Sequence, residues 1–306
     1  MNKQTIRDRL MSLLGSDHVL TDTLMKDHTS FRVGGPADFL VRPETIEQFI
    51  DVMCFCRTEK IPSYLIGNGS NLLVRDGGFR GVIIQTRGMD QIVTSGDRVT
   101  VYAGALLRRV AAEALAHGLS GMEFAAGIPG SMGGAIVMNA GAYGGEMKDI
   151  VESITVLTET GNLRTIAGAD CDFGYRHSVV QDYDWIVVST VLKLAAGDPE
   201  AIAARMKDFN RRRRDKQPLN FPSAGSTFRR PEGHFAGKLI QDAGMKGYRV
   251  GGAQVSEKHS GFVINADNAT AADILALIGQ VQAAVRDRFG VELKTEVITI
   301  GEEAAL

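Results

Sequence analysis

Cysteine, tryptophan and long apolar runs are scarce in this sequence of 306 residues. The three cysteines, Cys54, Cys56 and Cys171, are odd in number and show no Cys-x-x-Cys spacing. That pattern excludes a disulfide framework and indicates a reducing compartment. No apolar stretch approaches the roughly 18 residues that cross a membrane, and the first residues lack the pattern of a signal peptide. We therefore expect a cytoplasmic protein that does not contact a membrane.

An excess of charge of either sign is also missing. Lys and Arg number 34 and Asp and Glu number 36, for a net charge of -2. This balance argues against a broadly basic surface, so we expect no nucleic-acid partner. The hydrophobic share of 44% excludes disorder. The sequence contains no P-loop, His-Glu-x-x-His or Gly-x-Ser-x-Gly motif, and its scattered histidines predict no metal site.

Local patterns predict an α+β fold. Hairpins are indicated at Ser95-Gly96-Asp97 and at Gly161-Asn162, each between two short apolar runs. Hairpins interspersed with helices favour an α+β arrangement over a regular βαβ series.

Two helices have clear boundary signals. Thr45 is predicted as an N-cap with Gln48 as its capping-box partner. Thr270 and Asp273 make a second predicted capping box, and Gly290 should end that helix.

Glycine is abundant: 35 residues, or about 11% against a typical 7%. The first glycine segment, Gly67-Asn68-Gly69-Ser70-Asn71-Leu72, begins like a dinucleotide fingerprint but continues into the strand-like Leu72-Leu73-Val74. A Rossmann site needs a helix at that point, so this is not a Rossmann loop. Two interpretations stay open: a simple glycine turn, or a group of backbone N–H donors for a phosphate.

The second glycine segment, Gly127-Ile128-Pro129-Gly130-Ser131-Met132-Gly133-Gly134-Ala135, lies within a stretch of nine glycines from Gly118 to Gly145. So much glycine indicates either a ligand lying on the backbone or two backbones packed tightly together. Two phosphate-type loops in one chain predict a ligand with two phosphates.

Several charged or polar side chains allow two interpretations each. The run Arg211 to Arg214 is typical of a solvated helix end, although some of its cations and Lys216 could face an anionic ligand. Ser226 lies either in a turn or with its hydroxyl towards a ligand. Glu296 faces either solvent or a cleft, and Arg176 is either a surface cation or a carboxylate clamp.

Together these stretches resemble the UDP-N-acetylenolpyruvoylglucosamine reductase family, flavoenzymes of bacterial cell-wall synthesis. The resemblance extends from His28 to Gly301, and the chain is similar to the branch without an extra tyrosine-bearing loop. It rests on the order and spacing of seven markers, which are Gly67–Leu73, Gly127–Ser131, Met138–Gly144, Phe173–Arg176, Lys216–Pro218, Ser223–Ser226 and Glu296.

The resemblance implies a two-subdomain FAD-binding unit of the p-cresol methylhydroxylase and vanillyl-alcohol oxidase type, plus a smaller α+β substrate-binding domain. Subdomain 1 would span residues 1–87 and be completed by 296–306. Subdomain 2 would span 88–216, and the substrate-binding domain 217–295. The protein is expected to be a monomer.

The resemblance also implies the chemistry. NADPH would reduce FAD, and the enolpyruvyl group of UDP-N-acetylglucosamine enolpyruvate would then be reduced to give UDP-N-acetylmuramate. Arg176 and Glu296 would bind the carboxylate and stabilise an enolate, and Ser226 would donate the proton. The implied FAD contacts are Gly67, Asn68, Gly69, Ser70, Asn71, Leu72, Gly127, Pro129, Gly130, Ser131, Gly133, Gly134 and Asn139. The implied substrate contacts are Tyr143, Tyr175, Lys216, Phe228, Lys246 and His259.

Two other functions remain as alternatives. A related FAD-dependent alcohol oxidase that uses O2 would share the glycine segments but would not explain the set of Arg176, Ser226 and Glu296. A non-catalytic module that binds nucleotide sugars would need no flavin.

Overall fold

The computed structural model describes residues 1–304, and their contacts divide the chain into two compact units. Unit 1 comprises Met1–Leu20, Leu40–Asn68 and Ile83–Arg213. Unit 2 comprises Thr21–Phe39, Gly69–Val82 and the chain from Arg214 onward. The three-domain division with boundaries after residues 87, 216 and 295 stays a prediction.

Helices and antiparallel strands are interspersed along the chain, as predicted for an α+β fold. The helices are α1 Lys3–Leu14, α2 Ile46–Thr58, α3 Leu107–Ala116, α4 Met132–Val137, α5 Pro199–Lys216, α6 Ala236–Asp242 and α7 Ala271–Phe289. A four-stranded sheet has the order β1-β2-β5-β3, with β1 Val19–Leu24, β2 Pro36–Val41, β3 Ser63–Ile66 and β5 Phe79–Gln85. Short paired strands are β8 Leu119–Ser120 with β14 Ala195–Ala196, and β9 Gly141–Ala142 with β10 Gly145–Glu146.

Unit 1 is built on a five-stranded antiparallel sheet of order β12-β11-β13-β7-β6. Its strands are β6 Ile92–Ser95, β7 Arg98–Tyr102, β11 Val151–Leu157, β12 Leu163–Ala167 and β13 Ile186–Lys193. Both predicted hairpins are present, because β6 pairs with β7 and β11 pairs with β12. Alternate residues of the central strands, such as Val99, Val101 and Ile154, are fully buried in one core with side chains of α3 and α4.

Unit 2 contains a three-stranded antiparallel sheet, β15 Arg249–Val250, β16 Ala253–Val255 and β17 Val263–Asn265. Helix α7 covers it with a fully buried stripe of Ile274, Leu277, Val281 and Val285. A parallel pair of strands, β4 Leu72–Val74 and β18 Ile298–Ile300, joins the end of the first glycine segment to the last strand of the chain. The strand predicted to follow the first glycine segment is therefore confirmed.

The capping interactions predicted for α2 and α7 are confirmed except for one hydrogen bond. Helix α7 has the reciprocal capping box of Thr270 and Asp273 and ends at Gly290, whose φ is 69°. Thr45 caps α2 by accepting a hydrogen bond from Gln48 N. The reciprocal half of that box was wrong, because the Gln48 side chain accepts from Glu44 N at 2.9 Å instead.

Within residues 1–304, no helix combines the length and the apolar character needed to cross a membrane.

Asp76 provides a further cap for α7, and its removal should destabilise the protein. Its two carboxylate oxygens accept hydrogen bonds from Ala271 N and Ala272 N, both at 2.9 Å. Because a carboxylate satisfies otherwise unpaired N–H groups and suits the helix dipole, we expect Asp76→Ala to lower the free energy of unfolding by about 1–2 kcal/mol. Urea denaturation measures this, with Asp287→Ala near the other end of α7 as the control. Equal midpoints for Asp76→Ala and the unmutated protein would contradict the assignment.

Candidate active site

The two glycine segments contact each other in unit 1. A Cβ on Gly67 would lie 2.0 Å from Ser131 Oγ and 3.0 Å from Ser131 Cβ, so a side chain there would displace Ser131. Asn68 Nδ2 donates a hydrogen bond of 2.7 Å to the carbonyl of Pro129, 61 residues further along the chain. Gly67 therefore accommodates a side chain from another part of the chain.

Both glycine segments also carry backbone donors that the protein itself does not use. No described residue accepts a hydrogen bond from the backbone N–H groups of residues 68–71, nor from those of Gly130 and Ser131. Buried backbone N–H groups are almost always paired in folded proteins, and Ser131 is 3% exposed. A cluster of available donors is typical of a site for phosphate oxygens. This favours the ligand interpretation of the first glycine segment over the simple turn.

Other predicted cofactor contacts have clear packing roles. Gly133 in α4 lies against Ala103, because a Cβ there would be 3.0 Å from the Ala103 Cβ. Helix packing therefore accounts for this glycine. Two more of the predicted cofactor contacts lie in regular elements. Leu72 is a buried residue at the start of β4, and Gly134 lies in the first turn of α4.

Asn139 is 2% exposed, and its side-chain amide is fully used within the protein. Its Nδ2 donates to Glu146 Oε2 at 2.7 Å and to the Gly174 carbonyl at 3.1 Å. Its Oδ1 accepts from Lys148 N at 3.0 Å. The predicted contact between Asn139 and the cofactor is thus expected only from its backbone.

Arg176 and Tyr175 form the tip of a tight turn. Gly174 and His177 close the turn by reciprocal backbone hydrogen bonds of 3.1 and 3.3 Å. Arg176 has a left-handed backbone with φ 57°, and its carbonyl accepts from Gln181 Nε2 at 3.1 Å. Together with the bond from Asn139 to Gly174, these contacts fix the turn from both sides. The rigid turn leaves the Tyr175 side chain 57% exposed.

Tyr143, the other predicted substrate contact of unit 1, also has a left-handed backbone, with φ 55°. Its ring stacks on Phe209 of α5, with centroids 4.7 Å apart and an angle of 6° between the planes. Stacking fixes the ring while 39% of the residue remains exposed.

Ser226 and Glu296 lie on neighbouring extended segments of unit 2. Thr227, which follows Ser226, is 1% exposed and forms three hydrogen bonds. Thr227 N donates to the Gly261 carbonyl at 2.9 Å, and Glu296 N donates to the Thr227 carbonyl at 2.8 Å. Thr227 Oγ1 accepts from Val263 N at 2.9 Å. This buried threonine therefore holds the backbone that carries Ser226 next to the backbone that carries Glu296.

Asn71 ties the end of the first glycine segment to Glu296. Its Nδ2 donates to the Glu296 carbonyl at 3.1 Å, and its own carbonyl accepts from Ile298 N at 3.0 Å. A side chain that was predicted as a cofactor contact thus positions the strand of a predicted catalytic residue.

Phe228 is 4% exposed and belongs to the apolar core of unit 2. This placement favours a packing role over the predicted substrate contact. Lys216, at the end of α5, and Lys246, after α6, are both exposed and able to reach a ligand.

His259 is half-buried, with its ring edge-on to Phe262. Its Nδ1 accepts a hydrogen bond from Gly261 N at 3.1 Å, so the proton of the neutral ring is on Nε2, where it can be donated to a ligand. Burial lowers the pKa of His259 below its ordinary value of 6.5.

One cluster of potential metal-binding side chains in unit 1 was not predicted from the positions of the histidines in the sequence. Asp172, His177 and Asp182 bring one ligand atom each to within 4.8 Å of one another, next to the Arg176 turn. His177 Nε2 lies 3.6 Å from Asp172 Oδ2 and 3.3 Å from Asp182 Oδ2. The two carboxylates are largely exposed, which is typical of surface ion pairs.

Known proteins match nearly the whole chain. Residues 37–167 match the FAD binding domain family, and residues 217–300 match the C-terminal domain of UDP-N-acetylenolpyruvoylglucosamine reductase. The reductase of that name from Clostridium botulinum is 55% identical over 291 residues, covering 95% of each chain. The one from Caldanaerobacter subterraneus is 49% identical, covering 97% of this chain and 98% of its own.

Solved structures agree with these matches. The crystal structure of the reductase from Thermus caldophilus is 37% identical, with a TM-score of 0.77 over 90% of this chain and 97% of its own. A glucose dehydrogenase, Phl p 4.0202, is 15% identical, with a TM-score of 0.50 over 64% of this chain and 44% of its own. That second likeness concerns the fold alone. The predicted fold class, an FAD-binding unit with a smaller C-terminal domain, is confirmed.

These relatives show that the chain belongs to the UDP-N-acetylenolpyruvoylglucosamine reductase family, a family of oxidoreductases.

The environment of His259 leads to a prediction for NMR. Because burial opposes the charged ring, we expect His259 to titrate below 6.5. We also expect ¹⁵N shifts of the Nε2-protonated tautomer at pH 7. The signal is assigned by its loss in His259→Gln. Titration at or above 6.5 would contradict the effect of burial on the pKa, and protonation at Nδ1 would contradict the hydrogen bond from Gly261.

Proposed function

We propose that this member of the UDP-N-acetylenolpyruvoylglucosamine reductase family is an NADPH-dependent flavoenzyme. It reduces the enolpyruvyl group of UDP-N-acetylglucosamine enolpyruvate to give UDP-N-acetylmuramate, as a cytoplasmic monomer, in peptidoglycan precursor synthesis. The observation that carries this proposal is the pair of joined glycine segments with their available backbone donors. The match of residues 37–167 to FAD binding domains supports it.

The residues present fit FAD. Within unit 1, the available donors of Asn68, Gly130 and Ser131 suit a phosphate group, whose oxygens accept several hydrogen bonds at once. Within unit 2, the consecutive donors of residues 69–71 suit a phosphate group in the same way. When bound, FAD would supply a group that can accept hydride from NADPH and then donate it to the substrate.

Arg176 binds the carboxylate of the enolpyruvyl group. When hydride adds to the terminal vinyl carbon, negative charge develops on the neighbouring carbon and on that carboxylate. A guanidinium offers two parallel N–H groups to a carboxylate. Their interaction becomes more favourable as negative charge develops on the substrate. The turn closed by Gly174 and His177 holds the Arg176 backbone in place, so little conformational freedom is lost on binding.

Ser226 Oγ donates the proton that completes the reduction. A hydroxyl is a weak acid, but the enolate carbon is strongly basic and needs a donor in the right position. The three hydrogen bonds of Thr227 supply that position. Glu296, on the segment next to that of Ser226, has the proposed role of stabilising the enolate, as the family resemblance implies.

The remaining substrate contacts suit a sugar diphosphate. Lys216 and Lys246 offer exposed ammonium groups to the phosphates. His259 offers an Nε2–H donor, and the rings of Tyr143 and Tyr175 offer flat apolar surfaces with a hydroxyl at the edge.

Ser226→Ala should separate the two half-reactions. Reduction of bound FAD by NADPH should keep its rate, because the serine takes no part in it. Reoxidation by the enolpyruvyl sugar should slow by about 100- to 10,000-fold, which is the usual contribution of a proton donor. Anaerobic stopped-flow absorbance of the flavin measures both rates.

Ser223→Ala, three residues upstream in the same segment, is the matched control and should leave both rates unchanged. Equal slowing of both half-reactions in Ser226→Ala would exclude Ser226 as the proton donor. Peroxide formed from an alcohol and O2 without NADPH would instead indicate the alcohol oxidase.

A further inference from the structure

Three of the four arginines at the end of α5 differ in their surroundings. Asp208 neutralises two of them, since its Oδ1 lies 2.5 Å from Arg211 Nη2 and its Oδ2 lies 2.7 Å from Arg212 Nε. Both pairs are exposed, as expected for a solvated helix end. The interpretation of this run as a helix terminus therefore holds for Arg211 and Arg212.

The Arg213 side chain differs from those of Arg211 and Arg212, because it lies against the second glycine segment. A Cβ on Gly127 would lie 3.1 Å from Arg213 Cδ and 3.7 Å from its Nη1. The same Cβ would lie 2.6 Å from Asn210 Oδ1, so the absence of a side chain at Gly127 lets α5 approach the loop. The guanidinium thus lies against the segment whose N–H groups at Gly130 and Ser131 have no acceptor.

No carboxylate neutralises Arg213 in residues 1–304. No described residue forms a hydrogen bond or an ion pair with its side chain. Burial lowers the pKa of the guanidinium, and the nearby Tyr143 hydroxyl only partly opposes this effect. A half-buried cation without a counter-ion is unfavourable, and it becomes favourable when an anion occupies the space beside it.

We propose that Arg213 is a pyrophosphate-binding residue, which acts together with the backbone N–H groups of Gly130 and Ser131. A guanidinium presents two N–H groups in one plane and so can bridge two phosphate oxygens. This inference rests on the proposed function, which supplies two sources of that group. One is the pyrophosphate of FAD, and the other is the diphosphate of the UDP-sugar. Tyr143, stacked on Phe209 beside Arg213, is a predicted substrate contact, whereas Gly127 is a predicted FAD contact.

The experiment compares Arg213→Gln and Arg213→Lys with Arg211→Gln, the matched control whose charge is neutralised by Asp208. The dissociation constant of FAD is measured on apoprotein by quenching of flavin fluorescence. The dissociation constants of UDP and of inorganic pyrophosphate are measured on the FAD-loaded protein by calorimetry. Circular dichroism and thermal melting confirm that each variant is folded.

A charge-assisted bond of this kind should weaken one ligand by about 10- to 100-fold in Arg213→Gln and by less in Arg213→Lys. Weaker FAD binding assigns Arg213 to the cofactor, and weaker UDP and pyrophosphate binding with normal FAD assigns it to the substrate. Unchanged constants for all three ligands, or equal losses in Arg211→Gln, would overturn the proposal. If the unmutated protein binds FAD but does not reduce the enolpyruvyl sugar, the proposed function fails while the FAD measurement still tests Arg213.

Discussion

The close approach of the Ser131 side chain to Gly67 is the contact on which the candidate site depends. A single methyl group at Gly67 would collide with Ser131 Oγ at 2.0 Å. Because Ser131 approaches Gly67 and Asn68 bonds to Pro129, the two glycine segments are in contact within unit 1 although they are far apart in sequence. Glycine is costly to order in a folded chain, so its presence at Gly67 is consistent with the contact with Ser131.

The groups assigned to the reaction are held mainly by backbone hydrogen bonds. Thr227 fixes the segments of Ser226 and Glu296, Asn71 fixes the strand of Glu296, and the closed turn fixes Arg176. Backbone contacts of this kind fix the Cα positions from which the proposed catalytic side chains extend. They also let surface residues vary without moving the reacting groups, because the positions depend on main-chain atoms.

Features that depend on a few adjacent residues were predicted from the sequence. The hairpin turns, the capping box of Thr270 and Asp273, and the strand after the first glycine segment are all of this kind. Features that depend on distant contacts were not. The burial of Phe228, the saturated amide of Asn139 and the orientation of Arg213 follow from tertiary packing, which no local pattern encodes. Likewise Gln48 has the right spacing for a capping box but bonds to Glu44 N.

The most direct test of the account is an anaerobic visible spectrum of the purified protein, followed by additions of NADPH and then of UDP-N-acetylglucosamine enolpyruvate. We expect a flavin band that bleaches with one equivalent of NADPH and returns with one equivalent of the enolpyruvyl sugar. A band that bleaches and returns only on admission of air would contradict the assigned reaction. Absence of any flavin band, even after FAD is added, would contradict the role of both glycine segments.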